Sequence, residues 1–122
     1  MLIIFKNLKL FSYSSCSTCR KAIKWLKNNE IAFELIDLLK SPPSKEILTS
    51  ARDLYGDRKY LLNTSGVMYR SIGSDVVKKM TDNELFEELF REPRLIKRPF
   101  LYKSSKCILV GFKQDKWAEK LL

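Results

Sequence analysis

Histidine is absent from this chain of 122 residues. That absence removes Ser-His-Asp and Cys-His catalytic arrangements and the commonest protein ligand for metals. Cysteine is scarce, with Cys16, Cys19 and Cys107 making up the 3 present. A structural zinc site wants four ligands, usually two CxxC pairs or one pair with histidines, so no metal centre is expected. Long apolar runs are missing as well. The opening "MLIIFKNLKLF" reaches a lysine at Lys6, too soon for a secretory leader or a membrane span, and no small-residue cleavage site follows. A cytoplasmic chain without membrane contact is expected, a setting where disulfides are usually transient and catalytic. No linker, repeat or low-complexity stretch divides the chain, so residues 1–122 read as one domain.

What is present is ordinary for a globular protein, with 45% apolar and 30% charged residues. Charge is the exception: 23 Lys and Arg against 14 acids give a net +9. Such a balance favours acidic partners. The basic residues are scattered, however, and aromatics do not interleave with them as a base-stacking platform requires. A solvated basic surface is expected, without direct nucleic-acid binding.

The segment "LKLFSYS" (8–14) alternates Leu8, Leu10 and Ser12 with Lys9, Phe11 and Tyr13, which predicts a strand. Residues 1–7 either lengthen it or form a tail. "STCRKAIKWLKNNE" places Cys19, Ala22, Ile23 and Leu26 on one helical face, with Ser15 or Ser17 as cap and Asn28-Asn29 at its end. "IAFELIDLL" (31–39) reads as a second strand, completing a βαβ unit with parallel strands and a right-handed crossover. Ser44 then caps a helix carrying Ile47, Leu48, Ala51 and Leu54, and Gly56 closes it. "RKYLLNTSGVMYRSIG" predicts short helical turns around a polar bend, and "DVVKKM" and "TDNELFEELFRE" two further helices. The last of these has a Thr81–Glu84 capping box and stops before Pro93. A hairpin follows, Phe100–Tyr102 and Cys107–Val110 around "KSSK", then a closing helix with Trp117, Leu121 and Leu122 on its apolar side. The class is α/β: a β-α-β half and a β-β-α half around a helical insert at about 43–92.

"YSSCSTCRKA" puts Cys16 where the first strand ends and Cys19 in the first helical turn. A helix N-terminus offers unpaired N–H groups and roughly half a positive charge, and Arg20 and Lys21 add full charges. Together they are expected to bring the Cys16 pKa below the free value of about 8.5, which suits a nucleophile. Cys19 is placed to attack a bond formed at Cys16 and release it as a disulfide. The spacing alone also fits half a metal site, a single reactive thiol or a turn. The strand–CxxC–helix setting favours a redox couple. Cys107, in "CILV", reads as a core residue. "NTSG", Asn63–Gly66, is either an anion-binding turn or a helix terminus stopped by glycine.

Four segments in order, "CSTCRKAIKWLKNNEIAFELID", "LLNTSGVMYRSIG", "EELFREPRLIKRPFLY" and "ILVGFKQDKW", resemble the ArsC/Spx family from about Leu8 onward. This family groups glutaredoxin-dependent arsenate reductases with the RNA-polymerase-binding regulators Spx and MgsR. The resemblance implies a thioredoxin-like fold, with Cys16 as nucleophile and Cys19 as resolving thiol. It implies a cis Pro99 facing the cysteines and Arg98 holding an oxyanion or a carboxylate beside the thiolate. Arg20, Asn63 and Ser15 are further candidates for anion binding. Thioredoxin, or glutathione with glutaredoxin, is the implied electron donor, with no tightly bound cofactor and a monomeric state. Two departures matter. Arsenate enzymes of the family use three arginines and commonly lack the second thiol, whereas Asn63 and Gly111 stand here at the first and third arginine positions. Arg98 alone remains, with Arg70 or Lys97 open as substitutes. The reading is a thiol–disulfide oxidoreductase. A redox-sensing regulator binding the RNA polymerase α subunit is the alternative, and arsenate reduction is disfavoured.

Overall fold

In the computed structural model, which describes residues 2–122, strand β1 spans Ile3–Ser12. Residues 3–7 therefore lengthen the first strand, and residue 1 lies outside the described residues. The extension is anchored by the Ile3 N–H, which donates to Glu30 O at 2.7 Å. It is not continuous. The register slips between Ile4 and Lys9, where Asn7 takes φ +55°, a left-handed conformation that asparagine tolerates better than most residues.

Helix α1 (Ser17–Asn28) leads to β2 (Ile31–Asp37), which pairs parallel with β1. Helix α2 (Lys45–Tyr55) starts at the Ser44 cap and ends at Gly56, whose φ of +78° is cheap only for glycine. A 3-10 turn at Arg58–Leu61, helices α3 (Val67–Ile72) and α4 (Ser74–Lys79), and α5 (Asp82–Arg91) complete the insert. The Thr81–Glu84 capping box forms as read from sequence, with reciprocal bonds of 2.9 and 3.1 Å. Pro93 begins a second 3-10 turn. The hairpin β3 (Phe100–Lys103) and β4 (Lys106–Val110) precedes α6 (Gln114–Leu121). Strand order is β2-β1-β3-β4, with β3 antiparallel to both of its neighbours.

Strand alternation sorts the core onto the two sheet faces. Leu8, Leu10, Leu101 and Leu109 meet Ala22 and Leu26 of α1 and Trp117 and Leu121 of α6. Phe11, Phe100 and Cys107 meet Ile47, Leu48, Leu85 and Leu89 of the insert. Leu10 and Leu101 are wholly buried, and each such leucine contributes about 1.5–3 kcal/mol. Leu122, read as a member of the apolar side, is exposed, because only Trp117 and Leu121 of α6 turn inward.

Two contacts fix the insert against the sheet. Ser50 Oγ accepts the Cys107 N–H, and Tyr55 Oη accepts the Val110 N–H, both at 2.8 Å, so α2 satisfies the outer edge of β4. A short ladder pairs Leu62 with Ile96, Asn63 N–H with Leu95 O, and Lys97 N–H with Leu61 O. That ladder carries Asn63 alongside the residues that precede Pro99. No helix among the described residues is long and apolar enough to cross a membrane.

Candidate functional site at Cys16

The chain leaves β1 through a turn in which the Cys16 N–H donates to Tyr13 O at 3.0 Å. Cys16 is extended (φ −95°, ψ 114°) and directly precedes the first helical residue, so it occupies the cap position itself. Its Sγ accepts the Cys19 N–H at 3.3 Å. Neither Ser15 nor Ser17 serves as the cap, contrary to the sequence expectation. A serine oxygen in that role would satisfy the helix end; a sulfur there receives the end's N–H instead.

Cys16 is half-buried and Cys19 buried. Burial pushes the Cys16 thiol up, but the Cys19 S–H and N–H and the charge and donor groups of Arg98 outweigh it and lower the pKa. For Cys19 burial leads, and the Cys16 sulfur beside it reinforces the upward shift. The two thiols thus divide their protons unequally: Cys16 gives up its proton readily, while Cys19 keeps its own and donates through it.

Arg98 precedes a cis proline, as the family likeness implied. Its guanidinium carbon lies 4.9 Å from the centre of the Tyr13 ring, and its Nη1 donates to Arg94 O at 3.2 Å. Its Nε is buried, with no hydrogen-bond partner among the described residues. Arg20 takes no such position. Its Nη1 donates to Ser14 O at 2.9 Å, it is exposed, and it does not line the cavity over Cys16. The cationic help expected of Arg20 and Lys21 comes from Arg98 instead, because the helix turns those side chains outward.

A cavity of about 980 Å³ opens over Cys16 and is shared by Ser15, Asn63, Lys97 and Arg98. Pro99 is buried behind it. Of "NTSG" only Asn63 lines this space, and Gly66 directly precedes α3, so it opens a helix where a helix stop had been one reading. Arg70 is exposed and lies off the cavity. A second cavity, about 630 Å³ between α2 and α5, has no thiol in its lining. Tyr13, which supports Arg98 from below, carries no motif that would have marked it in the sequence.

The ArsC family model matches residues 11–120. YusI of Bacillus subtilis, an uncharacterized protein, is 37% identical over 115 residues, covering 93% of this chain and 97% of its own. The regulatory protein MgsR of the same organism is 30% identical over 105 residues, covering 85% of this chain and 82% of its own. The crystal structure of "a possible arsenate reductase" from Streptococcus mutans superposes with a TM-score of 0.82 at 31% identity, covering 90% of this chain and 94% of that one.

Proposed function

The chain belongs to the ArsC family and shares its thioredoxin-like fold, and on that premise we propose that it is a thiol–disulfide oxidoreductase. The Cys16 thiolate attacks one sulfur of a substrate disulfide. A Cys16–substrate disulfide forms, the substrate's S–S bond breaks, and the second substrate sulfur leaves as a thiolate. The new bond removes the negative charge beside Cys19, and with it two of the causes that hold the Cys19 proton, so Cys19 ionises more readily than in the reduced protein. Cys19 then attacks the Cys16 sulfur and expels the remaining substrate thiolate. Two electrons have passed to the substrate and a Cys16–Cys19 disulfide is left. Thioredoxin, or glutathione with glutaredoxin, returns two electrons to it; no resident cofactor takes part.

The observation that supports this reading is the Cys16 sulfur at the start of α1, accepting the Cys19 N–H at 3.3 Å with Arg98 on the same cavity wall, an arrangement that lowers the Cys16 pKa while burial raises that of Cys19. Arg98 and Asn63 on the cavity wall, with Ser15 at its rim, are assigned to hold the polar part of the substrate. The test is mass spectrometry after mixing reduced protein with a small disulfide. The wild type should lose two hydrogens, Cys19→Ser should retain the mixed disulfide, and Cys16→Ser should do neither. A Cys16→Ser protein that still forms an adduct at Cys19 would sink the assignment.

A second reading is favoured by the regulatory relative and by the net charge of +9. In it the same disulfide alters how a basic surface binds an acidic partner such as the RNA polymerase α subunit. A pull-down with that subunit, repeated with oxidised and reduced protein, separates the two: thiol-dependent capture favours the regulator. Arsenate reduction is the least supported, since Asn63 and Gly111 stand where two arginines are wanted to grip a dianion.

A further inference from the structure

Gly111 has φ +73°, its N–H donates to Pro99 O at 2.8 Å, and its carbonyl accepts the buried Trp117 Nε1–H at 3.0 Å. The backbone of this residue is therefore fixed from both sides. What lies over it is the side chain of Lys97. A Cβ built on Gly111 would sit 2.9 Å from Lys97 Cε and 3.7 Å from its Nζ. The missing side chain is thus the seat of a cation from another part of the chain. Lys97 and Gly111 line the same cavity as Cys16 and Arg98. No carboxylate among the described residues pairs with the Lys97 ammonium.

We infer that Lys97, seated on Gly111, is a second anion-binding group of the Cys16 site and selects disulfides that carry a carboxylate close to the reacting sulfur. This deepens the oxidoreductase reading and rests on it. The Arg98 guanidinium cannot serve two anions equally well. As the Cys16 thiolate attacks, negative charge spreads over the entering and leaving sulfurs, and Arg98 faces that charge as well as the polar part of the substrate. A substrate carboxylate then gains from a second cation, and of the lysines that line the cavity, Lys97, Lys113, Lys116 and Lys120, Lys97 is the one next to Arg98 and the one whose stem lies over Gly111. Lysine suits this: a single mobile point charge on a flexible stem, with no demand for a bidentate partner. Near solvent, one such charge a few ångströms from a carboxylate changes the encounter by roughly three- to tenfold, and salt weakens it.

The experiment compares three aliphatic disulfides of similar size: 3,3′-dithiodipropionate (anionic), 2,2′-dithiodiethanol (neutral) and cystamine (cationic). Each is mixed with reduced protein, and the second-order rate of Cys16 modification is followed by mass spectrometry at low and moderate salt. Dividing the anionic rate by the neutral rate within each protein cancels any change in Cys16 itself. In the wild type that ratio should exceed that of Lys97→Met by about three- to tenfold at low salt, and Lys97→Arg should restore most of it. Gly111→Ala, which pushes the Lys97 stem aside, should shift the ratio in the direction of Lys97→Met. An equal ratio in wild type and Lys97→Met overturns the inference while leaving the oxidoreductase reading intact, provided the neutral disulfide still yields Cys16–Cys19 disulfide. Failure of all three probes to react with wild-type Cys16 overturns both.

Discussion

Replacing Arg98 with Met keeps an unbranched stem against the Tyr13 ring and removes both the charge and the donor N–H groups. Those groups favour the Cys16 thiolate. A hydrogen bond to a charged group contributes about 1.5–3 kcal/mol, a factor of about 13–160 in the equilibrium between thiolate and thiol. The rate follows less steeply, because a less stabilised thiolate is also a better nucleophile, with a Brønsted coefficient of about 0.4–0.5. At pH values below both pKa values, Arg98→Met should therefore react about four- to sixteenfold more slowly than wild type. Above both, where each sulfur is fully ionised, it should react about three- to tenfold faster. The two pH–rate curves must cross. The assay is the pseudo-first-order modification of Cys16 by excess 2,2′-dithiodiethanol, a probe without charge at any pH used, between pH 5 and 10, with folding checked by circular dichroism. Superimposed curves, or a variant slower by one constant factor at every pH, would refute the claim that Arg98 acts on the ionisation of Cys16.

Cys107 offers a test away from the site. Burial pushes its thiol up to about 12. A raised folded-state pKa means full stability below the unfolded value of about 8.5 and a loss as pH climbs towards 12, at about 1.4 kcal/mol per pH unit for one proton. In urea unfolding of the reduced protein, Cys107→Ala should be less stable at pH 7 yet flatter by that slope between pH 9 and 11; an unchanged slope would count against burial of a protonated thiol. Trp117→Phe leaves the Gly111 carbonyl without its indole donor and should cost about 1–3 kcal/mol in the same assay, against a negligible change if the bond is unimportant. Thr81→Ala removes half of the capping box and should cost about 1 kcal/mol, with no effect on the rate of Cys16 modification. A changed thiol rate in that variant would show the insert to be coupled to the site more tightly than its one ladder suggests.

Elements governed by neighbours in sequence were legible. The Ser44 and Thr81 caps, the Gly56 stop, the "KSSK" hairpin turn and the two-face alternation around Leu10 and Phe11 each depend on residues within a few positions. The CxxC pair announced itself by the same local logic. Arg20 misled because nearness in sequence was taken for nearness to the sulfur, whereas a helix turns Arg20 outward towards Ser14 O. The Tyr13–Arg98 stack and the Lys97–Gly111 contact join segments that the fold alone brings together, so no spacing rule marks them. Family likeness reached Arg98 and Pro99, because it stores tertiary contacts as aligned positions. It gave Gly111 as a lost arginine and not as a platform, since a glycine reads as absence until something is seen lying across it.

The late position of Arg98 also has a meaning in time. Cys16 is synthesised some eighty residues before Arg98 and a hundred before Trp117, which holds the Gly111 wall. At about 5–20 residues per second, the sulfur spends roughly 4–20 s of its early life without Arg98, one of the two residues that lower its pKa, or without the finished Gly111 wall. During that interval it lacks the charge and donor groups that Arg98 brings to it. The share of the Cys16 ionisation that belongs to Arg98 comes only with the closing of the chain, whereas the Cys19 share comes with the first helical turn.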